Sequence, residues 1–114
     1  MLLAHLPAKE LDRVINEKGL PKRTENTITD PIQLREHLKL VRAQGYAIDD
    51  EENEKGVRCV AAPVFNEAGK AVAAISISSL AFRVTRKVIQ DSFRKEVKET
   101  ALKISQRLGF REMR

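Results

Sequence analysis

A chain of 114 residues has room for one modest hydrophobic core, and 42% apolar with 32% charged residues is the balance of an ordinary globular domain, which excludes a disordered tail. The longest apolar run, Ala71–Ile77, is strand-sized and too short for a membrane-crossing helix, and MLLAHLPAKE lacks the basic start and long apolar core of a secretory signal. One cysteine excludes an internal disulfide framework and fits a reducing cytoplasm. The net charge of +5 is spread along the chain, with excesses at Lys22–Arg23, Arg83–Lys87 and Arg107–Arg114 against an acidic patch at Glu51, Glu52 and Glu54. Tyr46, Phe65, Phe82, Phe93 and Phe110 are too scattered to interleave with those cations as a base-stacking platform, so the charge reads as solvated surface.

In chain order, Pro7 opens a helical pattern with Leu11, Val14 and Ile15 on one face, which ends near Gly19 and is blocked from continuing by Pro21. The polar stretch KRTENTITD follows, in which Thr24, Asn26, Thr27 and Thr29 offer local side-chain to backbone bonds. Asp30 then Pro31 is a helix start, an N-cap followed by proline at the first helical position; Ile32, Leu34, Leu38 and Val41 continue at roughly helical spacing and Gly45 ends it. Tyr46–Asp49 reads as a short strand, EENEKG as a turn, Val57–Phe65 as a second strand, NEAGK as a hairpin loop and Lys70–Ser79 as a third strand. The last two must pair antiparallel, because so short a loop cannot carry a parallel crossover. Ile89, Phe93, Val97, Ala101, Ile104 and Leu108 predict the buried stripe of a long C-terminal helix closed by Gly109. The expectation is an α+β domain, an antiparallel sheet covered by helices. The apolar opening MLLAHLP reads as the interior of a domain, so an upstream segment is expected.

The candidate site residues lie in the strands. Ile75 and Ile77 alternate with Ser76 and Ser78, which sends the two hydroxyls to one face together. That face is either simply wet or the wall of a small polar pocket; Ala71, Ala73 and Ala74 leave room over the sheet, and two hydroxyls so spaced can each donate to one oxygen of a carboxylate. Cys59 is either a small buried hydrophobe or a thiol with a role; Arg58 points to the opposite face, and neither His5 nor His37 is identifiable as its base. A small cysteine- or carboxylate-dependent enzyme therefore stands as the alternative reading. In the run Asp49, Asp50, Glu51, Glu52, strand alternation predicts Asp49 and Glu51 on one side and Asp50 and Glu52 on the other, with no His or Cys at ligand spacing. The run reads as a solvated turn, and no metal or cofactor is expected. Arg58, Arg83 and Arg86, near strand ends, offer charge to an anion.

Four segments in order also resemble one family. LLAHLP followed by KELDRVI, then TENTITDPIQLREHLKLVRAQGYAIDDEE, fits T-x-x-T-I/L-x-D, a helix, and R-x-x-G-Y/F-A-x-D-x-E-E. GVRCVAAPVFNEAGKAVAAISIS fits G-V/L-x-C-I/V-A-x-P-V/I, a turn and a strand ending S-V/I-S, and ISQRLGF fits the end of a last helix. The chain is similar in these to the effector-binding domain of IclR-type bacterial transcriptional regulators. The resemblance implies a GAF/profilin-like effector-binding domain, incomplete at its N-terminus, over residues 1–114, with the winged helix-turn-helix domain, early strands and one glycine-containing ligand loop absent. It also implies a small-carboxylate effector of the 2-oxo or 2-hydroxy acid type held near Asp49, Cys59, Ser76 and Ser78. There the hydroxyls and backbone N–H groups would grip the carboxylate, the cysteine would pack against the ligand, and Asp49 would accept a hydrogen bond from a ligand hydroxyl or bound water. DNA would be a partner only through the missing N-terminal domain of a homodimeric or homotetrameric, cytoplasmic parent, with no membrane partner. After SISIS the family often has glycine and proline; here the chain reads LAFRVTRKV.

Overall fold

Strand alternation divides the residues of one small sheet between two different environments. In the computed structural model, which describes residues 1–111, β1 (Ala47–Asp50), β2 (Val57–Phe65) and β3 (Ala71–Leu80) form an antiparallel sheet in the order β1-β2-β3. The central strand has the bounds its sequence predicts; the outer two each lie one residue later than expected. Tyr46 thereby falls outside β1 and is buried. The β2–β3 loop closes as expected: the Asn66 side-chain oxygen accepts from the N–H groups of Ala68 and Lys70, and Gly69 takes a φ of 75° that a side chain would strain. The last of the C-terminal basic residues, Arg114, lies outside the described residues.

On one face Ile48, Val60, Ala62, Val64, Ile75 and Ile77 pack against the C-terminal helical segment. That segment comes in three pieces: α3 (Arg86–Val88), a π-helical turn (Ile89–Phe93) and α4 (Arg94–Arg107). Ile89, Val97 and Ala101 are buried as the sequence predicts, but Ile104 and Leu108 are largely exposed and Ser105 is 1% exposed. The inward positions 89, 93, 97, 101 and 105, of which Phe93 is only partly buried, advance by four throughout, an overrun of about 40° per step on an α-helix of 3.6 residues per turn, and the wider π turn absorbs the first step. Ser105 takes the last place because β2 has run past the end of β1 there: its hydroxyl donates to the Ala101 carbonyl (2.8 Å) and accepts from Phe65 N (2.9 Å), an N–H that a leucine or isoleucine would leave bare.

The other face is covered from one side only. Here α2 (Pro31–Gln44) and a 3-10 turn at Leu2–His5 bury Leu38, Val41 and Ala4 against Leu3, Leu34 and Ala47. The start of α2 is capped by Asp30, whose carboxylate accepts from Ile32 N (3.1 Å), and Gly45 in the left-handed region ends it. Ile32 does not join the stripe; it is 69% exposed, because residues two apart on a helix lie on nearly opposite sides and Leu34 holds the inner one. Alongside runs α1 (Ala8–Lys18), which adds Leu11 to this cluster and is tied to α2 by an Asp12–Arg35 ion pair (2.5 Å).

His5 meets Phe65 edge to face, 5.3 Å between ring centroids. Burial holds its pKa below the ordinary value of 6.5, with Arg42 and the chain's α-ammonium adding repulsion. A histidine whose folded pKa is depressed binds its proton more readily when unfolded, so stability should fall as pH drops below 6.5 and level off below the folded value. Denaturant midpoints at a series of pH values between neutrality and mild acid should show this slope, and His5→Phe should flatten it.

Candidate functional site

The register of the sheet decides what its second face can do. Asp49 pairs with Cys59 and Cys59 with Ser78, so the three side chains form a straight row across all three strands, away from α4. Ala47, Ala61 and Ser76 form the next row on the same face. Sγ of Cys59 lies 3.0 Å from the Ser78 hydroxyl, the thiol's one hydrogen-bonding contact among the described residues. All four residues singled out in the sequence therefore share a face and two adjacent rows.

They do not share it equally. Asp49, Cys59, Ala47 and Ala61 floor a cleft of about 610 Å³, roofed by Leu34, His37 and Val41 of α2, by Leu3, and by the Leu20–Ile28 stretch with Arg23 and Thr27. Ser76 and Ser78 lie beyond its rim on β3, exposed, joined to it through the Cys59–Ser78 contact. The small floor residues are the reason there is space: a leucine at position 47 or 61 would fill it.

The acidic run divides differently from strand alternation. Asp49 accepts from Glu52 N (2.8 Å), and Glu51 has a φ of 57°, so the chain turns out of the strand right after Asp50. Glu52 consequently joins Asp49 on the cleft side, while Glu51 joins Asp50 on the side of Arg58; this corrects the pairing predicted by alternation. Asp50 holds Arg58 (2.7 Å) and Arg86 (2.6 Å), so these two arginines meet a carboxylate of the chain itself.

The threonine-rich stretch bonds across the molecule as well as locally. Thr24 donates to the Glu51 carbonyl (2.5 Å), Thr27 to that of Glu52, and Asn26 to that of Asp50 (3.0 Å). These bonds satisfy the carbonyls of the β1–β2 turn and fasten the stretch that carries Arg23 and Ile28 over the cleft. Besides Glu52, sequence reasoning missed Arg23 and His37 as cleft residues. His37 was legible, since Leu34, His37, Leu38 and Val41 follow the i, i+3, i+4, i+7 pattern of one helix face; Arg23 carried no signal, because its place depends on the long-range threonine bonds.

Chemically the cleft presents Arg23 and His37 as positive or donor groups, and Asp49 and Glu52 as acceptors, over an apolar floor. That set suits a small molecule bearing both an acid group and a hydrogen-bond donor. Among the described residues no three His, Cys, Asp or Glu side chains gather into a metal site. Among the described residues no hydrogen bond joins Cys59 to His37; the thiol's contact is with the Ser78 hydroxyl.

Comparison with known proteins places this arrangement in context. Residues 1–106 match the family model described as bacterial transcriptional regulator IclR C-terminal. The chain is 46% identical over 112 residues, 96% of its length, to the HTH-type transcriptional repressor AllR of Klebsiella pneumoniae, and 46% identical over 84 residues, 74% of its length, to the HTH-type transcriptional regulator BhcR of Paracoccus denitrificans. It spans 40% and 30% of those relatives. Its fold matches the crystal structure of Thermotoga maritima IclR with a TM-score of 0.87 at 41% identity, covering 96% of this chain and 44% of that one. A double mutant of the PobR inducer-binding domain from Acinetobacter, solved as a complex with 3-hydroxybenzoic acid, matches with a TM-score of 0.87 at 33% identity, covering 91% of this chain and 59% of that one.

Proposed function

The chain belongs to the IclR family of bacterial transcriptional regulators, and from this we propose that it senses a small carboxylate effector on the sheet face carrying Asp49, Cys59, Ser76 and Ser78. It is a ligand-binding domain of a regulator and not an enzyme; the relatives it matches are named as transcriptional regulators or repressors. The observation that carries the proposed site is the in-register row Asp49–Cys59–Ser78, in which Asp49 and Cys59 floor a cleft with both donors and acceptors and Ser78 continues the row past its rim.

In this reading the effector is a 2-oxo or 2-hydroxy acid. The serine hydroxyls donate to its carboxylate, Arg23 supplies charge and His37 a ring N–H from the roof, and Asp49 accepts from a hydroxyl of the ligand or a bound water. Cys59 contributes shape and a polarizable contact. The hydroxybenzoic acid bound by the PobR inducer-binding domain supports the coarser reading, a small carboxylate. The whole protein, a cytoplasmic homodimer or homotetramer, binds DNA through another domain. Effector binding shifts the balance between DNA-competent and incompetent arrangements by no more than the ligand's differential affinity for the two.

Thermal melts in millimolar 2-oxo and 2-hydroxy acids test the reading, because a ligand that binds only the folded chain raises the midpoint by mass action. One or more acids should raise it, and Ser76→Ala and Ser78→Ala should each reduce the shift while leaving the ligand-free midpoint close to that of the unaltered chain. A shift equal in all three proteins would remove the serines from the site.

A further inference from the structure

A second cleft, sharing no lining residue with the first, lies at the edge of the sheet where β2 runs beyond the end of β1. It has a volume of about 580 Å³, within the range of small-molecule sites. Its floor is apolar, from Ala62 and Pro63 on β2 to Leu102 on α4, and one end is closed by Phe65 and Phe110, stacked with ring centroids 5.1 Å apart. Its rim is basic: Arg42, Arg94, Lys95 and Lys98 line it against a single carboxylate, Glu99.

Among the described residues none of these cations takes part in an ion pair, whereas the arginines beside Asp50 do. Two of them are nevertheless held in place. Arg94 donates to the Gln90 carbonyl (2.8 Å), Lys98 donates to the Gln44 carbonyl (3.2 Å), and both lie over the ring of Tyr46, at 5.5 and 5.7 Å. Like charges brought to one ring repel, and an anion between them would offset that repulsion. A further polar group points the same way: Nε2 of His5, which also lines the cleft, is shut off from solvent without a hydrogen-bond partner.

We propose that this cleft is a second ligand site, for an organic anion whose flat apolar body lies on the Phe65–Phe110 end and whose acid group meets Arg42 and Lys98. A guanidinium and an ammonium over an apolar trough complement an aromatic carboxylate better than they complement a neutral ring or a bare anion. The site stands independently of the effector reading above. Helix α2 is the wall common to both clefts, with Val41 facing one and Arg42 the other.

Phenylacetate and its neutral amide, phenylacetamide, titrated into the isotope-labelled chain and followed by amide NMR, test the proposal. Phenylacetate should perturb Gly45, Phe65, Lys98 and Phe110, and the amide should bind about tenfold more weakly, the loss expected for one charge-assisted hydrogen bond. Arg42→Gln and the double variant Arg42→Gln/Lys98→Gln should weaken phenylacetate progressively with the spectrum otherwise folded, while Ser76→Ala leaves it unchanged. Equal binding of acid and amide, perturbation confined to Cys59, Ser76 and Ser78, or indifference to both cleft variants would each overturn it.

Discussion

Ile89→Ala should destabilise the chain by about 3–4 kcal/mol, the range for removing a fully buried isoleucine side chain and leaving a cavity. Ile89 is 1% exposed and packs at the π turn, where the C-terminal segment first meets β2. A cavity there is hard to close, because the neighbouring stripe positions Val97 and Ala101 are fixed by the four-residue steps that the π turn sets up. For a domain of this size the thermal midpoint should fall by more than ten degrees, at about 4 °C per kcal/mol. Ile89→Val should lose only about 1 kcal/mol, and Val88→Ala, at a neighbouring exposed position, should stay within about 0.5 kcal/mol. Urea unfolding with an unchanged slope would measure all three. The effector face lies on the other side of the sheet, so ligand affinity measured where Ile89→Ala is still folded should match that of the unaltered chain.

Arg58→Met should be nearly as damaging, by about 3 kcal/mol, although ion pairs on protein surfaces contribute at most about 1 kcal/mol. Burial makes the difference. The side chains of Arg58 and Asp50 are only 18% and 19% exposed, and the guanidinium also donates to the carbonyls of Ala81 and Val84, both at 3.0 Å. Removing it strands a half-hidden carboxylate, with only the exposed Arg86 left as partner, and two carbonyls without their donor. The double variant Arg58→Met/Asp50→Asn should recover part of the loss, since it removes the stranded charge as well. Equal destabilisation of the single and double variants would mean that the two carbonyl bonds, and not the buried charge, carry the effect.

The sequence carried the strands and their faces because each signal there is local. Ile75 and Ile77 alternate with two serines, and the Cys59 strand ends at a loop with an unmistakable turn glycine, so antiparallel pairing followed from adjacency alone. The last turns of α4 were not legible. Ile104 and Leu108 fit an apolar stripe as well as Ser105 misfits one, and only the unpaired N–H of Phe65, forty residues away, makes a buried serine preferable. The same holds for the acidic turn. Nothing within four carboxylates in a row says that Glu51 will take a positive φ and exchange sides with Glu52; the bonds of Thr24, Asn26 and Thr27 to the turn carbonyls and of Arg58 to Asp50 settle it. The four proposed effector residues were named from strand alternation and a family likeness. What these left out was the roof: His37 lies on the apolar face of α2 that the sequence did show, whereas Arg23 reaches the cleft only through long-range bonds.

The most direct test is an amide NMR titration of the labelled chain with the acid that most raises its melting midpoint. The account predicts saturable shifts at Asp49, Cys59, Ser76 and Ser78, with Val97 and Ala101 on the opposite side of the sheet unmoved and Ser76→Ala weakening the titration. Shifts confined to α4, or a titration that Ser76→Ala and Ser78→Ala both leave intact, would contradict it.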